Sequence, residues 1–437
     1  MFEGARLPFM TLPHPVASGE GVLDPLGLAR AGDALANWLV PGMTARMNRP
    51  RFLTAMALSG AVCDGLEDQI ARDGITQAYI VFEWLLVEAF ARAAVRQEVE
   101  GTPGIEKAST ARNRQIPMSA TAYLKTPSVF GFHGVYRRLA VATDIVDDDV
   151  RLGENGYRLL KAWEREQGAE GFIDGKNGEG MRGILRSAVE DTLAKGYVDR
   201  SSGWRGWEFF ARHLAPSKTG LREAEILREV MLDEHGETRG ELYSLLARHR
   251  TAMSNGNASE AQLAKMLLGE SSRELKRRLK AIFAFERFAV ALETAFDLLQ
   301  YLSTQNPTKA LSVKDYVSDK LVAKIAGNLQ EILVRVADAL ESAPLKVTEE
   351  FGPLEQAFTS VKMANDLFHA VLDRHAQVQE AKPPEGKREW FERAADGGVM
   401  IRPQFRLSDR PEWHDGWNRP YRLYAMRSFC HDLRAAR

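Results

Sequence analysis

Along most of the chain apolar residues recur every three or four positions, the spacing of an amphipathic helix. Leu28, Ala31, Leu35, Trp38 and Leu39 form one such stripe. Asp24-Pro25 precedes it, suited to N-cap and first helical residue, and Pro41-Gly42 ends it. Helices are predicted next over 50–63, with Phe52, Leu53, Met56 and Ala57 inward, and over 76–97. Shorter ones are predicted over 181–195, 204–214, 221–233 and 239–253. The second half carries longer helices. Ser271-Ser272-Arg273-Glu274 reads as a capping box from Ser271 to Glu274, followed by Leu275, Leu279, Ile282, Ala289, Leu292, Phe296 and Leu299 on one face. A second helix covers 319–342, with Leu321, Ile325, Leu329, Ile332, Val336 and Leu340. A third starts at Pro353 and carries Leu354, Phe358, Val361, Phe368, Leu372 and His375. Asn365 and His375 fall on its apolar side. An unpaired buried polar group costs about 1–3 kcal/mol, so each needs a partner. Three such helices predict an antiparallel bundle with coiled-coil-like packing.

After residue 380 the pattern changes. Trp390, Trp413, Trp417, Tyr421 and Tyr424 stand among many arginines. Val399, Ile401, Phe405 and Leu407 alternate with Met400, Arg402, Gln404 and Arg406, which is strand spacing. Pro403 confines such a strand to a sheet edge. The expected fold is mainly α and multi-domain. Five segments are read: an N-terminal arm and helical region (1–114), a module at 115–167, a helical middle (168–260), a long-helix bundle (261–380) and an aromatic, basic tail with a short β element (381–437).

In the module the order of elements is informative. Ser119 caps a predicted short helix over 119–125, Thr126-Pro127-Ser128 turns, and a helix is predicted over 131–143 with Val135, Leu139 and Ala142 inward. Ile145-Val146 and Val150-Arg151-Leu152 make a small hairpin around Asp147-Asp148-Asp149. Gly153-Glu154-Asn155-Gly156 leads into a helix with Tyr157, Leu159, Leu160 and Trp163. This order, and the passage from Val150 to Leu160 above all, resembles the winged helix-turn-helix proteins. The resemblance covers about 50 of the 437 residues. It implies that 131–143 is a recognition helix in the major groove of duplex DNA, with His133, Tyr136, Arg137 and Arg138 facing the nucleic acid. Lys125, Arg112 and Arg114 would lie near its backbone. A DNA-contacting wing is usually basic, whereas this one carries three aspartates. Either the wing points away from DNA, or the module binds protein.

Composition narrows the class. An apolar content of 45% supports a sizeable core, and a net charge of −1 leaves no global basic excess, so nucleic-acid contact must come from local patches. Two such patches stand out. The loop 44–51 holds Arg46, Arg49 and Arg51 without an acid, and reads either as a solvated connection or as a phosphate-contacting loop. Arg273, Lys276, Arg277, Arg278 and Lys280 crowd a helix start, where the helix dipole favours acids. A polyanion partner or a solvated face explains them. Cys63 and Cys430, the only cysteines, form no ribbon or disulfide framework. The first 21 residues, with three prolines, do not read as a signal peptide. The most apolar helix is interrupted by Glu83, Glu88 and Arg92, as a core helix is. A cytoplasmic protein with no membrane association is expected.

Catalytic signals are weak. Of His369, Asp373, His375, His431 and Asp432, His369 and Asp373 share a helix face but His375 falls on another, so no metal site is expected. Acid-x-Lys triplets, a piece of restriction-type nucleases, occur at 174–176, 274–276, 380–382 and 385–387, too often to single one out. No phosphate-binding glycine loop, HExxH or GxSxG is present, so no cofactor is expected. The leading expectation is a non-enzymatic DNA-associated protein whose bundle and tail dock other proteins, of a kind suited to a bacterial DNA-processing or phage-defence complex. A metal-dependent nuclease using C-terminal Asp, Glu, His and Lys, and an assembly scaffold that does not touch DNA, are the alternatives.

Overall fold

A computed structural model describes residues 24–93, 95–174, 179–231, 237–249, 258–383 and 385–435. The arm before Asp24, residues 175–176 of one acid-x-Lys triplet, and residues 232–233 and 250–253 of two expected helices lie outside them. The described residues form eighteen helices and one two-stranded sheet, so the chain is mainly α. No helix among them is long and apolar enough to cross a membrane. Two compact units are present. One comprises the described part of Met1–Leu35 with Lys280–Arg419, the other Ala36–Leu279 with Pro420–Arg437. The five segments read from the sequence are thus distributed over two units, and the tail contributes to both.

The first helix, α1 (Ala29–Leu39), starts later than Asp24-Pro25 suggests. The Asp24 carboxylate accepts from the amides of Leu28 at 2.8 Å and Ala29 at 2.9 Å, capping the helix from a distance.

At the centre of the second unit lies α2 (Phe52–Cys63), buried at every position. A helix apolar all round must be covered all round. The cover comes from α3 (Ala78–Arg92), α6 (Phe132–Ala142), α7 (Glu154–Glu166) and α8 (Glu179–Lys195). Small residues permit close approach: a side chain at Gly60 would press on the backbone of Val150–Leu152. Between α3 and α6 come α4 (Ile105–Asn113) and the one-turn α5 (Pro127–Phe130). Then α9 (Arg205–His213) packs on α3, and α10 (Leu221–Met231) on α7. Next are α11 (Glu237–Arg248) and α12 (Glu260–Leu268). The chain's last helix, α18 (Leu423–Ala435), packs against α10, α11 and α12. Sequence reading did not anticipate it. Its apolar stripe is Met426, Phe429, Cys430 and Leu433, all buried. The Glu260 carboxylate accepts from the amide of Tyr424 at 2.9 Å, capping its start.

The other unit is built on α13 (Arg273–Gln305) from Lys280 onward, with α14 (Val313–Val317), α15 (Lys320–Leu340), α16 (Leu345–Phe358) and α17 (Ala364–Glu380). The cap of α13 is Ser272, whose hydroxyl accepts from Leu275 N at 3.2 Å; Ser271 instead donates back to Leu267 O. Asp319 caps α15, accepting from Leu321 N at 2.8 Å, so the helix starts where the stripe places it. The expected third helix from Pro353 is two helices. Pro353 lies inside α16, and the Asp366 carboxylate turns back to the amides of Lys362 and Met363, starting α17 afresh. Asn365 is exposed, against expectation, because the break shifts the face it occupies. His375 is buried and doubly bonded, its Nδ1 to Pro25 O at 3.0 Å and its Nε2 to Trp390 N at 2.9 Å. Only an imidazole can accept from that amide, so Nε2 is the acceptor and Nδ1 carries the proton.

The short sheet pairs β1 (Phe391–Arg393) with β2 (Val399–Ile401) antiparallel, Phe391 opposite Ile401 and Arg393 opposite Val399. Val399 and Ile401 face inward, as their alternation predicts. The strand stops before Pro403, which opens a 3-10 turn over Pro403–Phe405.

Candidate nucleic-acid interface

The segment resembling a winged helix has a different local build. Residues 119–125 form turns instead of a helix, and α5 starts at Pro127 where a turn is expected. Proline fits the first helical position because its missing N–H would have no partner there. The hairpin is a single bridge, Val146 to Leu152. Helices α6 and α7 stand where the pattern places them.

Helix α6 is anchored through its first turn. The Glu83 carboxylate, in the middle of α3, accepts from the His133 amide at 3.0 Å, contacts His133 Nδ1 at 2.9 Å and accepts from Tyr123 OH at 2.8 Å. His133 Nε2 meets Ser59 Oγ at 3.0 Å. Burial lowers the His133 pKa, with Glu83 acting in the opposite sense. Burial and Glu83 push the Tyr123 phenol well up. At Gly131 a side chain would collide with the Glu83 carboxylate, and at Gly134 with the backbone of Ser128–Val129, so both approaches require glycine. Acid, imidazole and hydroxyl stand here in the order of a nucleophilic triad. Ser59, however, is fully enclosed in the middle of α2, where no substrate carbonyl can approach it. The network ties α2, α3 and α6 together.

This geometry corrects three expected DNA contacts. His133 and Tyr136 are buried, because α6 buries a wide face comprising Phe132, His133, Val135, Tyr136, Leu139 and Ala140. The Tyr136 hydroxyl accepts from the amides of Asn48 at 3.1 Å and Arg49 at 3.0 Å, which pins the arginine loop to α6. Arg51 is buried too. It pairs with Glu223 at 3.1 Å and donates to the carbonyls of Ala215 and His213. A fully enclosed side chain cannot reach a nucleic acid.

The other residues divide by whether their charge is taken. Arg49 pairs with Asp432 at 2.9 Å and donates to Glu100 O. Arg137 donates to Asp148 O and lies over the Tyr79 ring. Arg277 pairs with Glu274 at 2.6 Å and lies over Trp38, and Lys276 beside it is half-buried. Lys280, in the other unit, is exposed. Arg46, Lys125 and Arg138 are exposed, and no carboxylate of the described residues pairs with them. Arg46 lies over Phe130 at 4.2 Å. Val129 and Phe130 are 49% and 45% exposed. Because α5 lies against Gly134, Arg46 lies over Phe130 of α5 and Arg138 is one turn further along the same strip of α6, α5, Arg46 and Arg138 stand on one side of α6, and Lys125 precedes α5 by two residues in the chain. The outer edge of this side is acidic. The Asp147 carboxylate accepts from the amides of Asp149 and Arg151, shaping the turn, and Asp149 pairs with Arg151 at 2.7 Å.

Among the described residues no three or more His, Cys, Asp or Glu side chains stand together as a metal site. His369 and Asp373 are exposed, and Asp373 pairs with Arg393. Sequence reasoning missed the partners of Glu83 and Glu223. For Glu83 the signal was there: a carboxylate inside a strongly apolar stripe requires a partner. Compared with known proteins, the chain matches no family model, no curated protein and no solved structure.

Proposed function

We propose that the face formed by α5, the outer strip of α6 and the loop before α2 binds duplex DNA through its phosphate backbone, as the non-catalytic part of a larger protein assembly. One observation carries this reading: Arg46, Lys125 and Arg138 are exposed cations without a carboxylate partner, while Arg49, Arg51 and Arg137 beside them are engaged within the protein. Uncompensated surface cations lower their free energy by taking phosphate oxygens and releasing counterions. With His133 and Tyr136 enclosed, the reading is backbone contact and not base readout. The test is duplex binding as a function of salt, in wild type and in an Arg46→Ala/Lys125→Ala/Arg138→Ala variant.

A second reading, protein docking at the same face, is favoured by the exposed Val129 and Phe130 and by the acidic edge at 147–149. Exposed apolar side chains rimmed by polar ones mark interaction sites. It separates from the first by Val129→Ser/Phe130→Ser. This variant abolishes partner binding under the docking reading and leaves salt-dependent duplex binding in place under the DNA reading.

A further inference from the structure

Phosphate contact alone leaves one feature of the proposed DNA face unused, an aromatic ring held out in water. Helix α5 ends at Phe130, which is 45% exposed beside Val129 at 49%. The backbone there is fixed: Phe130 N donates to Thr126 O at 3.0 Å and Gly131 N to Pro127 O at 2.8 Å, and the turn rests on α6 at Gly134. A cation lies on this ring. The Arg46 guanidinium carbon is 4.2 Å from the ring centroid, within reach of a cation–π contact. The loop that carries Arg46 is held as well. Met47 is buried, Thr44 Oγ1 donates to Val135 O at 3.4 Å, and the amides of Asn48 and Arg49 donate to the Tyr136 hydroxyl. Ring and guanidinium thus come from separate segments, each pinned to α6.

A single exposed aromatic side chain has an ordinary explanation, since folded proteins leave much apolar surface in water. The cation on it narrows what could cover it. No carboxylate of the described residues pairs with Arg46. Covering the ring would enclose this guanidinium too, and an enclosed charge must be paired. A protein partner would have to supply a carboxylate at that one spot, whereas a nucleic acid carries a phosphate beside every base. Inside duplex DNA the faces of the bases are stacked on one another and closed to a side chain. An unpaired base has its face free. Positively charged surfaces bearing aromatic side chains hold single strands in this way, with little regard to sequence. Arginine suits the place by its shape, because a planar guanidinium stacks on a ring and keeps its edge donors for phosphate oxygens.

We propose, on the footing of the DNA reading above, that this face takes DNA in which unpaired bases adjoin the duplex. One unpaired base stacks against the Phe130–Arg46 pair, and Arg46 holds a neighbouring phosphate. Arg138, exposed further along α6, is left for phosphates of the duplex. Stacking needs only a π-face, so the preference is for unpaired bases of any identity.

The experiment measures the affinity of the full chain for three DNAs by fluorescence anisotropy at one salt concentration. They are a blunt duplex, the same duplex with a short thymidine overhang, and the same duplex with an overhang of equal length made of abasic sites. The two overhangs carry equal charge and differ only in their bases. The thymidine overhang should bind about fivefold or more tighter than the abasic one, as stacking of one base provides. That advantage should disappear in Phe130→Leu and persist in Phe130→Trp. A wild type that binds none of the three defeats the DNA reading itself, and this proposal with it. A wild type that binds the blunt duplex but treats the two overhangs alike overturns this proposal and leaves the duplex reading standing, and that comparison needs no variant. An advantage unchanged in Phe130→Leu overturns it equally.

Discussion

The Arg51 guanidinium donates from Nε to Glu223 Oε1 at 3.1 Å, and both side chains are fully enclosed. Thr54 donates to the same carboxylate oxygen at 2.6 Å, and Gly220 N to the other at 3.2 Å. Removing one partner of such a pair leaves a buried charge without compensation, at a cost of about 3–5 kcal/mol. Arg51→Ala should therefore lower the unfolding free energy by that amount, read from urea denaturation. A loss below about 1 kcal/mol, the usual value of an exposed pair, would contradict the buried placement of Arg51.

The Glu83–His133–Ser59 network makes a graded prediction. Ser59→Ala leaves His133 Nε2 without its partner and should cost about 1–3 kcal/mol. Glu83→Ala strands the His133 ring, its amide and the Tyr123 hydroxyl together, and should cost more than Ser59→Ala. Thermal unfolding of the two variants checks the order. Equal small losses would mean that the network does not tie α3 to α6.

His375 sets a pH dependence. Burial brings its pKa from 6.5 down to about 4, with the bond to Pro25 O opposing. A proton on Nε2 would also face the Trp390 amide, donor against donor. Since the folded value lies below the unfolded one, the contribution is full above pH 6.5 and is lost as pH falls towards 4. The loss amounts to roughly 3 kcal/mol from this site. His133, shifted in the same direction, adds to it. Denaturation midpoints of wild type and His375→Gln between pH 7.5 and 4 should converge on acidification. Parallel curves would exclude His375 as a source.

Asp297 on α13 acts in the opposite sense. Burial and then Glu293 raise its carboxyl pKa to about 6. Stability from this group is complete below its unfolded value near 3.8 and is lost as pH rises through 6. Asp297→Asn should therefore stabilise the protein at pH 7.5, by about 1–2 kcal/mol after allowance for its partial exposure, and have little effect near pH 4. A destabilised variant at pH 7.5 would show that the ionised carboxylate has a partner there.

Residue patterns locate the helices well where stripe and cap agree. Asp319 and its stripe place Lys320–Leu340 almost to the residue. They fail where a distant group decides. Pro353 looks like a helix start, yet the helix runs on to Phe358, and the next one starts only after Asp366 folds back onto the amides of Lys362 and Met363. The last helix has a readable stripe, but the surrounding tryptophans, tyrosines and arginines obscure it. The candidate site suffers most. A lone helix stripe assigns His133 and Tyr136 outward because they are polar, while their partners Glu83, Ser59 and Asn48 lie 50 to 88 residues away in sequence. Arg46, Lys125 and Arg138 are legible as basic residues, but only the fold distinguishes them from Arg51.

The most direct test of the proposed DNA face is the salt dependence of duplex binding. Affinity is measured between about 50 and 200 mM salt, for wild type and for Arg46→Ala/Lys125→Ala/Arg138→Ala. Each lost phosphate contact lowers the slope of log affinity against log salt by about 0.9, so the triple variant should bind more weakly with a slope reduced by about 2–3. A folded wild type that binds no duplex, or a triple variant that keeps the wild-type slope, would contradict the account.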